Sequence, residues 1–265
     1  MKKLLAIVLS LAMALSLAAC GTSGENAADT GNKDGDALVL SIGTSPDFPP
    51  FENLNGDGSV TGIEIDILNQ VCEELGWTLE INQMDFDSVI PGVQAGKFDL
   101  GVSGITVTED RKKNALFTSV YCMAAQAIVV LEGSDITCKA DLEGKAVSVQ
   151  TGTTAESFCT EQGYDVKSFQ ANNDAQSALI NGKVDAWVID DLTAADMVAT
   201  YEKSNPGVLV ILDEAMTSEP YAFAANLEDQ ELVDQINSVL DKMIEDGTVA
   251  QIFEDNGAPY TSPLE

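Results

Sequence analysis

The chain has 265 residues, room for one large domain or two modest ones. Lys and Arg total 13 against 43 Asp and Glu, giving a formal charge of −30, and histidine is absent. With 45% hydrophobic residues the chain can bury a real core, which excludes an acidic disordered polymer. The acidic excess excludes a nucleic-acid partner, because phosphate binding needs clustered cations, and opposes electrostatic attachment to anionic lipid. Without histidine there is no Ser-His-Asp triad, no Cys-His pair and no imidazole metal site.

Met1-Lys2-Lys3, an apolar run over residues 4–17 and Ala18-Ala19-Cys20 read as a secretory signal peptide. The apolar run is shorter than the roughly 20 residues of a membrane span. Residues 21–37 are rich in Gly, Ser, Asn and Asp and read as a flexible tether. The folded part is expected from residue 38.

Residues 38–42 form a β-type run. Ile63, Ile67, Leu68, Val71 and Leu75 recur at helical spacing, with Gly76 placed to cap the helix. Residues 77–81 predict a strand, Asp87 a cap for the helix after it with Pro91 in its first turn, and residues 99–103 another strand. Thr108-Glu109-Asp110 predicts a further helix start. Residues 127–131, 146–149, 184–189, 208–212 and 221–225 are strand-like; residues 154–162, 192–203 and 227–246 are helical. In the last of these, Leu232, Ile236, Val239, Leu240 and Met243 share one face. This alternation predicts α/β layers with mostly parallel sheets. Cys72, Cys122, Cys138 and Cys159 lie in this part. Four cysteines allow three full pairings; Cys138–Cys159, flanking one short segment, is the preferred one. Their spacings match no zinc pattern, and neither a metal nor a cofactor is expected.

Ligands of open α/β sheets bind beyond the carboxyl ends of strands, and four segments fall there. The proline-stiffened loop of residues 43–52 could present Phe48, and Phe86 could form a facing apolar wall. Ser103-Gly104-Ile105-Thr106 supplies hydroxyls and a glycine before Arg111, the chain's single arginine. A guanidinium can hold a carboxylate bidentately, which lysine cannot do. Thr151-Gly152-Thr153-Thr154 follows a strand and opens a helix, so Thr153 and Thr154 sit where free N–H groups and the positive helix end favour an anion. Asp190 should emerge at the end of its strand, where it could take an ammonium, while Asp191 is the better helix cap. A site offering both signs complements the zwitterion of a free amino acid.

Over residues 38–258 the chain resembles bacterial extracellular solute-binding protein family 3. The resemblance rests on Gly43-Thr44, Phe48-Pro49-Pro50-Phe51-Glu52, Gly62-Ile63-Glu64-Ile65-Asp66-Ile67, Asp85-Phe86-Asp87-Ser88-Val89-Ile90-Pro91, Ser103 through Lys113, Thr151-Gly152-Thr153-Thr154 and Asp246-Gly247-Thr248 in that order. It implies a type II periplasmic-binding-protein fold of two lobes, each a mostly parallel sheet flanked by helices. Lobe 1 would hold residues 38–124 and 222–262 and lobe 2 residues 125–221, with crossovers near 123–126 and 218–222. It implies ligand positions at Phe48, Phe86, Ser103, Gly104, Thr106, Arg111, Thr154 and Asp190. Leu17-Ala18-Ala19-Cys20 looks like a lipobox, which implies lipidation at Cys20 and anchoring on the outer face of the cell membrane. The implied function is capture of a free amino acid by a monomeric, non-enzymatic receptor serving an ABC permease. Members that bind basic amino acids commonly carry an acid where Ser45 stands, with Asp47 the nearest acid here. The amide-reading positions are Ser45, Gln150 and Ile189, and a neutral ligand is expected. The competing readings are a dehydratase-like enzyme, which needs an additional acid or base in the cleft, and a ligand-sensing module.

Overall fold

The computed structural model describes residues 38–264; the expected signal segment, Cys20 and the tether lie outside them. Two five-stranded sheets organise these residues. The first runs in the order Thr78–Gln83, Val39–Thr44, Leu100–Gly101, Ala224–Ala225, Leu116–Phe117. The second runs Asp165–Phe169, Ala146–Gln150, Ala186–Asp190, Gln126–Leu131, Leu209–Ile211. In each, four strands point one way and the fourth in the order opposes them.

The reversed strand of each sheet is the one that arrives from the other sheet. Cys122–Ala124 precedes Gln126–Leu131, and Glu219–Tyr221 precedes Ala224–Ala225. These two connecting strands pair antiparallel with each other, Met123 opposite Pro220. They overlap the segments read as crossovers, and the chain passes between the sheets there twice, side by side.

Helices cover the sheets because their apolar stripes match. Ile63–Leu75 buries Ile63, Ile67, Leu68 and Val71, and Gly76, in the left-handed conformation, ends it through N–H bonds to the Cys72 and Glu73 carbonyls. Gln230–Glu245 buries Val233, Ile236, Val239, Leu240 and Met243. The strands buried on both faces read as continuous apolar runs, as in Gln126–Leu131 and Ala186–Asp190.

Several expectations need correction. Thr108-Glu109-Asp110 opens only a short 3₁₀ turn, Arg111–Lys113. Asp87 caps nothing; it lies inside a 3₁₀ turn, Phe86–Ser88, that leads into Val89–Gln94. The strand expected at 221–225 divides into Glu219–Tyr221 and Ala224–Ala225, one in the connecting ribbon and one in the first sheet. The strand Asp165–Phe169 and the helices Asn172–Ile180 and Thr248–Asp255 are additional. The four cysteines among the described residues are free thiols, so Cys138–Cys159 is not a disulfide. Cys159 is turned into the core of the second sheet, and the Cys138 thiol meets Asp141 instead.

The stripe of Gln230–Glu245 makes a direct test. Leu240→Ala removes a fully buried side chain and should cost about 2–5 kcal/mol in urea unfolding, whereas Asp241→Ala on the exposed face should stay within about 0.5 kcal/mol.

Candidate functional site

All nine residues singled out as ligand contacts line one narrow, largely enclosed pocket: Phe48, Phe86, Ser103, Gly104, Thr106, Arg111, Thr153, Thr154 and Asp190, joined by Gln150. Each reaches it from the end of a strand or the loop beyond. Phe48 ends a short strand that follows Val39–Thr44, and Ser103 to Thr106 follow Leu100–Gly101. Gln150 ends Ala146–Gln150, Thr153 and Thr154 open the next helix, and Asp190 ends Ala186–Asp190.

The aromatic wall is rigid. Phe48 stacks on Phe51 with ring centroids 5.6 Å apart, and Phe51 meets Tyr221 edge-on at 5.1 Å. Gly104 has φ +54°, and a Cβ there would stand 2.5 Å from the Phe48 ring, so only glycine admits this approach.

Arg111 is held from both sheets. Its Nη1 donates to the Thr106 carbonyl at 3.0 Å and its Nη2 to the Gly152 carbonyl at 3.1 Å. The guanidinium lies over the Phe86 ring, 5.5 Å from the centroid. Burial pulls its pKa down, while Glu219 and Asp190 oppose that pull. Five N–H donors on a guanidinium leave capacity beyond these two bonds.

Asp190 stands at the N-cap position of Asp191–Glu202 yet makes no cap bond; its carboxylate instead accepts from the Tyr221 hydroxyl. Burial, then the negative charge of Glu219, raises its pKa to about 8, against the lowering effects of Tyr221 and Arg111. Asp191 spends its carboxylate on the Leu192 and Ala125 N–H groups.

The hydroxyls are committed elsewhere than their sequence positions suggest. Thr106 Oγ1 donates to Glu219 Oε2 at 2.6 Å, and Thr154 Oγ1 donates to the same oxygen at 3.0 Å. Their oxygens keep only acceptor capacity, and Thr154 already accepts from Gln126 Nε2. Thr153 donates to the Gln150 carbonyl and accepts from Glu156 N–H as the cap of its helix. Ser103 Oγ donates to Glu52 Oε1 at 2.7 Å and accepts from Ser45 N–H. Gly104 N–H donates to Glu64 Oε2, whose other oxygen accepts from the Tyr121 hydroxyl. Full burial, then the adjacent Glu64, pushes Glu52 well above the usual carboxylate range.

Sequence reasoning missed Glu219 and Tyr221, the two connecting-strand residues that face the site, and the Glu52–Glu64 pair beneath it. A signal existed for the first two: Glu219-Pro220-Tyr221 falls inside the segment read as a crossover. Gln150, read as a position for a ligand amide, instead donates to the Gln170 carbonyl at 3.0 Å and to Asp47 at 3.4 Å, and accepts from Asn172.

The chain is 30% identical over 257 residues to the arginine-binding extracellular protein ArtP of Bacillus subtilis, covering 95% of this chain and 96% of that one. A crystal structure of a mutant of ArgBP from T. maritima superposes with a TM-score of 0.76 at 39% identity, covering 82% of this chain and 94% of the other. An ancestral arginine-binding protein bound to glutamine superposes with a TM-score of 0.76 at 38% identity, covering 83% and 98%. These structures share the two-lobed periplasmic-binding-protein fold. The profile of bacterial extracellular solute-binding proteins, family 3, matches residues 40–257, and the chain belongs to that family.

Proposed function

We propose that the chain is a receptor that takes up a free amino acid between its two lobes and hands it to an ABC permease, anchored to the membrane through lipid on Cys20. The lobes are residues 38–124 with 222–262, and 125–221. The observation that carries the reading is the pair Arg111 and Asp190, opposite charges brought from different sheets to one pocket. Arg111 would take the α-carboxylate with the N–H groups that open the helix at Thr154. Asp190 would take the α-ammonium, with Thr106 Oγ1 as an added acceptor. Phe48 and Phe86 would hold the ligand body between them. Two ions that pair with protein charges and hydrogen bonds offset their desolvation, which a one-sign site cannot achieve for a zwitterion.

The ligand's side chain is neutral in this reading. Of the ten residues lining the pocket, only Arg111 and Asp190 carry formal charge, and both are used by the backbone groups of the ligand. Binding with release, rather than turnover, fits the way the hydroxyls of Ser103, Thr106, Thr153 and Thr154 are tied to protein partners.

A thermal-shift screen of refolded protein against the twenty amino acids, cystine and several keto acids tests this. A few neutral amino acids should raise Tm, and Arg111→Ala or Asp190→Ala should abolish the response. Breaking such a buried pair costs about 3–5 kcal/mol, an affinity loss of a hundredfold or more. A flat screen with folded protein would overturn the reading, a response to arginine alone would overturn the neutral ligand, and a chemically altered ligand recovered afterwards would replace the receptor by an enzyme.

The raised pKa of Asp190 adds a proton-linkage test. In the unfolded chain this carboxyl ionises near its ordinary 3.8, whereas folded it holds its proton to about 8. The folded state therefore binds the extra proton between those values, and the Asp190 contribution to stability declines as pH rises through that window. A ligand ammonium pairs with the ionised form, so binding near pH 6.5 should release a proton and tighten as pH rises toward 8. Calorimetry in two buffers of different ionisation enthalpy reads that proton directly. Buffer-independent heats, for a ligand that does bind, would show that Asp190 is not the ammonium partner.

A further inference from the structure

The helix Asn172–Ile180 begins without a cap of its own. Its N-cap residue is Ala171, extended at φ −111° and ψ 144°, with no side-chain oxygen to offer. The first N–H groups of a helix have no partner inside it, and buried ones need an acceptor. Asn172 is buried, and the oxygen that meets its N–H comes from 125 residues away: Asp47 Oδ2, at 2.7 Å. Asn172 Nδ2 donates to the Asp47 carbonyl, and Gln150 Nε2 donates to the same carboxylate. Asp47 opens the short strand Asp47–Phe48 after Val39–Thr44, in the first lobe, where Ser45 Oγ donates to its other oxygen at 3.0 Å. Asn172 and Gln150 belong to the second. Apart from Gln150, none of these residues lines the ligand pocket.

We infer that Asp47 is a closure latch: a carboxylate on one lobe that caps a helix on the other only when the lobes meet, and so sets the closed population and the residence time of the ligand. The inference rests on the two-lobed closing receptor proposed above, yet its central contact forms without ligand atoms. A carboxylate at a helix N-terminus gains from both the N–H bond and the helix dipole. Opening the lobes returns Asp47 and the Asn172 N–H to water, so the contact favours the closed state and no other.

The test uses the full chain and two substitutions, one on each side of the contact. Asp47→Ala removes the acceptor. Asn172→Pro removes the donor at the first helical position, where proline is well tolerated and the extended Ala171 before it is compatible. Amide hydrogen exchange at Asn172 in the ligand-free protein should accelerate at least about tenfold in Asp47→Ala, with the core of Gln230–Glu245 unchanged. For any amino acid that binds, either variant should raise the dissociation rate roughly 5–30-fold, and the double variant should add little to that. Unchanged exchange at Asn172 in Asp47→Ala, or dissociation effects that multiply in the double variant, would overturn the latch. If no amino acid binds, the exchange measurement still decides the latch, while the receptor reading falls separately.

Discussion

The site turns on one partly buried guanidinium that feels two neighbouring carboxyl groups, Glu219 and Asp190. Arg111 feels their attraction, while burial works against its own charge and against that of Asp190. Such a cluster is stable only when each ion has partners, and the chain arranges this unequally. Glu219 receives hydroxyl protons from Thr106, Thr154 and Thr217. Arg111 receives two carbonyls and an aromatic face. Asp190 receives only the Tyr221 hydroxyl, which does not offset the burial and the Glu219 charge that raise its pKa. The least satisfied group is the one facing the pocket, which is where a ligand cation has most to offer.

Behind this cluster sits a second layer that no ligand would touch. Glu52 and Glu64 hold the Ser103 hydroxyl and the Gly104 N–H, and Tyr121 ties Glu64 to the connecting strand region. The loop from Ser103 to Thr106 is thus fixed from below by two buried acids and from the side by the ring of Phe48. Precision in the pocket comes from residues whose own burial would be unfavourable without these reciprocal bonds.

Much of this was legible in the sequence, and the failures have a common cause. The apolar runs of Gln126–Leu131, Ala146–Gln150 and Ala186–Asp190 announced themselves because both faces of those strands are buried. Asp165–Phe169 escaped because it is an edge strand, largely exposed and reading as Asp-Val-Lys-Ser-Phe. Asn172–Ile180 escaped because its start signal is not local: Ala171 cannot cap, and the capping carboxylate lies far away in sequence. Ser103, Thr106 and Thr153 were found by position, but their hydroxyl partners were not, since Glu52, Glu219 and the Gln150 carbonyl come near them only through the fold.

The exchanged strand in each sheet also constrains the order of assembly. Ala224–Ala225 sits between Leu100–Gly101 and Leu116–Phe117, so the latter has no sheet partner until residues 224–225 arrive. The second sheet has all five strands by residue 211. A chain emerging N-terminus first can therefore complete the second sheet while the first sheet, begun earlier, still lacks a strand. The order of the strands along the chain thus differs from the order in which the two sheets can be completed, and the first sheet waits for a strand that follows every strand of the second.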